Sequence, residues 1–356
     1  MKNVQILFLN NKAMKAAGAE DIREGIKSVK QIYSFYNCIN AQGQKEPKLT
    51  IPDKVVLRFG PDRQSEYTNG RINCMPGRIH GGDVDIAGVK WIGSGIHNAE
   101  KGLPRANALV ILNDPDTKLP VCIADGTAVS TTRTGAAGGV AVELLSRPDS
   151  TVYTICGAGA QGRTQLHATL ISRPGIKTVY VYDKFIASAE KYVEEMQAKY
   201  PDVSFTAITE DQLPDCVGRS DIVTTITTAS SPFMKAEWIK KGTLLINMSG
   251  NEVERQCVLM ADKTVVDFWE SVKHRNSSTI AQMSNDPNDK YQDFQPTAEL
   301  GQILNGEKTG RDNDEQIIYF NSVGAGVLDL MIAYRCYEKA KAEGLGQVLN
   351  FWEGDE

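Results

Sequence analysis

The stretch from Thr151 to Tyr200 leaves little choice of fold for the middle of the chain. An apolar β-rich run, TVYTIC, stops at Gly157 and is followed by Gly157-Ala158-Gly159-Ala160-Gln161-Gly162, which opens a helical segment. A second β run, TVYVYD, ends at Asp183, about 20 residues past the glycines, and an amphipathic helix, FIASAEKYVEEMQAKY, comes next. A GxGxxG pattern alone carries little weight, but a strand before it, a helix after it and an acid at the next strand end make a dinucleotide fingerprint. Gly157 permits the tight turn, Gly159 lets a pyrophosphate approach the backbone, and Gly162 allows close helix-to-strand packing. The helix N-terminus then faces the phosphates. Asp183 is expected to accept hydrogen bonds from the adenine-ribose hydroxyls and to repel a 2′-phosphate, favouring NAD over NADP, with Lys184 blunting this slightly.

Further β runs at SFTAIT, DIVTTIT, TLLINMSG and KTVVDF alternate with helical or loop segments, the pattern of a doubly wound parallel sheet. Before residue 125 the texture differs. VQILFLN is followed by a helix from Asp21 to about Tyr36, with Ile22, Ile26, Val29 and Ile32 at helical spacing. KVVLRF, VDIAGVKWIGSG, NALVILND and PVCIAD then follow with no helices between them, which predicts a mostly antiparallel sheet. TAVSTTRTGAAGGVAVELLSR reads as a small-residue helix leading into the glycine loop. The region 285–316 reads as solvated loop around a short helix, AELGQILNG. SVGAGVLDLMIAYRCYEKAKAEGLG reads as one amphipathic helix closed by glycine.

Composition excludes several classes. With 39 basic and 44 acidic residues, a formal charge of −5 and no basic arm, nucleic acid is not the expected partner. No apolar run reaches the roughly 18 residues that cross a bilayer, and the first residues lack the order of a signal peptide, so a cytoplasmic location is expected. The seven cysteines form no CxxC pair and the four histidines fall singly, which predicts neither a disulfide framework nor a bound metal.

Three cations stand on otherwise apolar or small-residue segments. Lys90 interrupts AGVKWIGSG and Arg58 ends KVVLRF; each either snorkels toward solvent or is placed to hold an anion. Arg133, in STTRTGAAGG, lies on the helix that delivers the chain to the glycine loop, where its guanidinium suits a bidentate grip on a carboxylate.

In this order, Arg58, Met75-Pro76, Lys90, Asn98, Gly102-Leu103, LNDPDT, TTRTGAA, GAGAQG, LLINMSGNE and NSVGAGVLD resemble the ornithine cyclodeaminase and mu-crystallin family over nearly the whole chain. Through KWIGS, ILNDPDT, VYVYD and GRDNDEQII the chain is most similar to the siderophore-pathway branch, which oxidises N-(2-amino-2-carboxyethyl)-glutamate. The resemblance implies a substrate-binding and dimerisation domain of α+β type from residues 1–129 and 319–356, with a Rossmann-type NAD-binding domain, 130–318, inserted. It implies a homodimer. It places Arg58, Lys90 and Arg133 around the substrate carboxylate and reacting carbon. Along the dinucleotide it places Arg105, Arg133, Ala160, Gln161, Asp183, Thr227, the run Ile246, Asn247, Met248, Ser249, and Ser322. Ornithine-acting members carry an aspartate where this chain has Glu252 and a glutamate where it has Asn73, so two expected partners of the ornithine amines are changed.

The chemistry implied is hydride transfer between an amino acid Cα and NAD, with Lys90 and Glu252 as candidate acid or base. Ornithine cyclodeaminase, N-(2-amino-2-carboxyethyl)-glutamate dehydrogenase, a dehydrogenase of another substrate class and a non-catalytic small-ligand binder of mu-crystallin type all fit this pattern.

Overall fold

The computed structural model describes residues 3–40, 42–62, 65–248 and 250–354. They form two compact units, one of residues 1–133 and 325–356, the other of residues 134–324.

The first unit opens with strand β1 (Val4–Leu9) and, after a short helix, α1 (Ile22–Tyr36). The Asp21 carboxylate caps α1 by accepting from the backbone N–H of Arg23 and Glu24, and Ile22, Ile26, Val29, Ile32 and Tyr33 form its buried stripe. Next come β2 (Val55–Arg58), β3 (Arg71–Gly81), β4 (Val84–Ser94), β5 (Ala106–Asn113) and β6 (Pro120–Asp125). Strands β2 to β6 pair antiparallel, and only β1 against β6 is parallel. Alternation sets one face inward: Val84, Ile86 and Lys90 on β4 and Ala108, Val110 and Leu112 on β5 are buried.

Strand β3 was not legible in RINCMPGRIHG because Pro76 argues against a strand interior. Its outer edge explains the proline. β2 pairs with Arg71–Cys74 and a two-residue strand, Leu49–Thr50, pairs with Arg78 and Ile79, so Pro76 falls in the gap between them, where the missing N–H costs nothing.

Helix α2 (Thr127–Leu145) leads into the second unit. There β7 (Val152–Cys156), α3 (Ala160–Ser172), β8 (Thr178–Tyr182), α4 (Ile186–Lys199) and β9 (Ser204–Ile208) form the first half of a doubly wound fold. The second half contains β10 (Ile222–Thr225), β11 (Leu244–Asn247), β12 (Lys263–Val266) and β13 (Ile318–Asn321). The order is β9-β8-β7-β10-β11-β13-β12, with Ala298–Glu299 at the edge, and every pairing is parallel. The strand order reverses between β7 and β10, the point at which such sheets bind ligands beyond their C-terminal ends. The central strands are buried along their whole length, as a sheet covered on both faces requires.

The chain returns to the first unit through α5 (Gly326–Glu343) and β14 (Gln347–Trp352), which pairs with β1. Helix α5 is capped by Gly344 in the left-handed region. It is amphipathic only in its second half: from Gly326 to Ala333 every residue is buried, because it crosses the inner face of β3, β4 and β5 and also contacts α1. Five of the seven cysteines are buried and all are free thiols. No helix among the described residues is long and apolar enough to cross a membrane.

Candidate functional site

In the second unit the glycine loop lies at the switch point. Gly157 adopts φ 120°, and a Cβ there would stand 2.4 Å from the Ile226 carbonyl oxygen at the end of β10. A Cβ on Gly162 would stand 2.1 Å from the Gly157 oxygen. Both are therefore required by the protein itself. Gly159 differs: it caps α3 with φ −80°, and a Cβ would meet nothing within 4 Å. The open space in front of Gly159, Ala160 and Gln161, at the N-terminus of a 13-residue helix, fits a pyrophosphate. The loop is braced from behind. Arg163 donates to the carbonyls of Ala158 and Gly159 while paired with Glu195, and the Tyr192 hydroxyl donates to the Gly162 carbonyl.

Asp183 follows β8 and has both oxygens engaged locally. Oδ2 accepts from the Ala158 N–H at 2.9 Å and Oδ1 from the Phe185 N–H at 3.0 Å. It is therefore a turn former and a brace of the glycine loop as well as a candidate ribose acceptor. A carboxylate has about four lone-pair directions, so two remain.

Beside the loop, Thr227 follows β10. Its N–H and hydroxyl both donate to Glu252 Oε1, at 2.6 and 2.5 Å, and Asn247 donates to Glu252 Oε2 at 2.8 Å. Asn247 accepts in turn from Tyr319 and Asn321. Glu252 and Asn247 are fully buried. The structure thus brings Thr227, Asn247 and Glu252, the candidate acid or base, together as a bracket that fixes the strand ends. Ser322 is likewise buried; its hydroxyl donates to Asp267 Oδ2 at 2.6 Å, which also accepts from the Gly324 N–H. Burial pushes the Asp267 carboxyl up against the pull of these donors. Ser249 lies outside the described residues. Asp267 and Asn321 were not singled out in the sequence, since nothing in KTVVDF or YFNS separates a loop brace from a strand-end polar residue.

In the first unit Lys90 neither snorkels nor faces solvent. Its side chain is 1% exposed under α5, where Nζ donates to Asp329 Oδ2 at 2.7 Å and to Ser130 Oγ at 3.3 Å. Arg133 Nε stands 3.4 Å from Asp329 Oδ1. Burial is the main force lowering the Lys90 amine to about 8; Asp329 pulls it back up and the Arg133 charge pushes it further down. Arg58 is not unpaired on a strand end either. Its Nε meets Glu66 Oε1 at 2.7 Å, and Arg71 Nη1 meets Glu66 Oε2 at 2.9 Å, with the Glu66 side chain 2% exposed. Register puts these groups on one face: Arg58 opposes Arg71, and Met75, four residues along β3 from Arg71, opposes Lys90. Arg105 is exposed just before β5. Asp329, Glu66 and Arg71 were missed; the signal available for Asp329 was a lone carboxylate in the apolar run GVLDLMIA. No group of His, Cys, Asp and Glu among the described residues is placed to hold a metal ion.

Residues 40–344 match the model of the ornithine cyclodeaminase/mu-crystallin family. The N-((2S)-2-amino-2-carboxyethyl)-L-glutamate dehydrogenase of Staphylococcus aureus is 31% identical over 351 residues, spanning 98% of this chain and 100% of that enzyme. Among solved structures, an archaeal alanine dehydrogenase dimer with bound NAD superposes with a TM-score of 0.83 at 30% identity, covering 98% of this chain and 100% of that one. The Δ1-pyrroline-2-carboxylate reductase of Thermococcus litoralis, in complex with NADH and L-proline, gives 0.82 at 32% identity over 96% of this chain and 99% of that one.

Proposed function

This chain belongs to the ornithine cyclodeaminase/mu-crystallin family, and from that premise we propose that it is an NAD-dependent oxidoreductase acting on the Cα–N bond of an amino acid. The observation that carries this reading is the buried Lys90 amine, lowered to about 8 and set beside Arg133, in a chain that also holds a complete dinucleotide loop. The chemistry that NAD would supply when bound is a hydride acceptor for the substrate Cα, and the substrate imine so formed would be open to hydrolysis by water. We assign the amino acid to the first unit and the dinucleotide to the second. Arg133 grips the α-carboxylate, and Lys90 moves a proton at the substrate nitrogen or at water. Glu252 and Asn247 hold Thr227 in place beside the glycine loop, and Asp267 does the same for Ser322.

Arg58 and Arg71 pair with Glu66, and Lys90 and Arg133 with Asp329, so in these ion pairs four cations share two carboxylates, an excess of cations. That excess suits an amino acid with more than one carboxylate better than it suits ornithine, whose second amine would meet Asn73 where a glutamate is expected. N-(2-amino-2-carboxyethyl)-glutamate is therefore the first substrate to test. Purified protein is given NAD with either compound, and NADH and ammonia are followed together. NADH accumulating with the substituted glutamate supports the proposal. Ammonia and proline from ornithine without NADH would mark a cyclodeaminase, and silence with both would favour a binding protein.

For the cofactor, Asp183→Ala is expected to weaken NADH binding about tenfold, the worth of one to two hydrogen bonds, and to shrink the preference over NADPH. The readout is the ratio of the two dissociation constants, because loss of the Ala158 brace raises both. An unchanged ratio would leave Asp183 as a turn former alone.

We also propose a homodimer built on the outer face of the first unit's sheet. Val55, Cys74 and Trp91 form one cross-strand row there, and Val55, Leu57 and Trp91 are 62%, 51% and 44% exposed. Trp91→Glu is expected to shift the sedimenting species from dimer to monomer at micromolar concentration. A parent protein that sediments as a monomer at every concentration would refute the assembly.

A further inference from the structure

Asp329 joins the two cations assigned to the substrate. It projects from the first turn of the 18-residue α5, where the helix dipole favours an anion, and is fully buried. One oxygen takes Lys90 Nζ and the other faces Arg133 Nε, while Ser130, one turn before Arg133 on α2, takes a second proton of Lys90. We propose that Asp329 is the positioning residue of the amino acid site: it aims the remaining donors of Lys90 and Arg133 outward and leaves the trio one positive charge, which a single α-carboxylate neutralises. This rests on the functional reading above.

Packing alone does not account for the arrangement. A buried ion pair adds little net stability over an apolar pair of the same volume, so a lysine and an aspartate beneath α5 are poor choices for a core. They are good choices for fixing a donor. The ammonium has three protons, of which Asp329 and Ser130 hold two in fixed directions. The Arg133 guanidinium touches Asp329 through Nε, and its two terminal nitrogens form the edge that suits a carboxylate.

The charges facing Lys90 are Asp329 on α5 and Arg133 on α2; its cross-strand partners, Met75 and Val110, carry none. Removing the Asp329 charge therefore takes away the influence that opposes burial. In Asp329→Asn the limb of the pH–kcat/KM profile governed by Lys90 is expected to move about one pH unit to the acid side, with kcat/KM down about thirtyfold and NADH affinity unchanged.

The same shift is readable without turnover. The folded Lys90 lies below its unfolded value of 10.5, so the unfolded chain binds the extra proton between about 8 and 10.5 and stability rises with pH in that window. With Lys90→Met as baseline, urea midpoints of the Asn variant should begin this rise at lower pH than the parent. A parent that fails to reduce NAD with any amino acid would defeat the functional reading, whereas urea curves that do not move would defeat this inference. If the Asn variant does not fold, Asp329→Glu decides. It keeps the charge but displaces Lys90 by a methylene, so the pH limb should stay and kcat/KM should fall about tenfold. Parent-like kcat/KM in the Glu variant would overturn the assignment.

Discussion

Replacing Lys90 with methionine is expected to lower kcat/KM by about a thousandfold, the scale of losing a positioned acid–base group, while the NADH dissociation constant stays within twofold. Methionine fills nearly the same volume under α5, so the loss reads chemistry more than packing. It also leaves Asp329 buried with only the 3.4 Å contact to Arg133 and no ammonium, which costs about 3–5 kcal/mol of stability. A companion variant, Lys90→Met with Asp329→Leu, removes both charges and should recover most of that stability without recovering turnover. Turnover within threefold of the parent in the folded single variant would remove Lys90 from the mechanism.

The second large effect concerns the glycine loop, where two glycines two residues apart, Gly157 and Gly159, are expected to differ in what their replacement does to folding. Gly157→Ala must place a Cβ against the Ile226 carbonyl at a φ of 120° that alanine rarely adopts. It should cost about 1–3 kcal/mol of stability and weaken NADH at least tenfold. Gly159→Ala meets no protein atom within 4 Å and has an ordinary φ, so the apoprotein should melt within a few degrees of the parent. Its methyl nevertheless enters the space assigned to the pyrophosphate, and NADH affinity should fall at least tenfold. Thermal melts and fluorescence titration separate the two outcomes. A Gly159→Ala protein that binds NADH like the parent would show that the open space is not the cofactor's.

How far the sequence disclosed this arrangement depended on whether a residue's role was local. The β7–α3–β8 unit was legible because its signals, two apolar runs, three glycines and one aspartate, all act within 30 or so residues of each other. The antiparallel sheet was legible from successive β runs with no helices between them, except where Pro76 disguised β3. Three short helices, Arg255–Leu259, Trp269–Arg275 and Thr279–Asn285, were not recognised, since five to seven residues give no usable helical period.

The site was less legible because its partners are remote in sequence. Lys90 and Asp329 are 239 residues apart and Thr227 and Glu252 are 25 apart, so spacing could not reveal that one cation is buried under a helix or that one carboxylate serves as a bracket. Arg58 was visible as a charge on a strand, but Glu66 and Arg71, which complete its ion-pair group, fall in a segment with no apolar pattern to mark it.

The central claim, hydride removal from Cα to NAD, is tested most directly with an amino acid substrate deuterated at Cα. After turnover by the purified protein, the reduced cofactor is isolated and its mass measured. The account predicts that the deuterium is carried on the nicotinamide, giving NADD one mass unit above NADH. Deuterium released to solvent, with any reduced cofactor unlabelled, would contradict it.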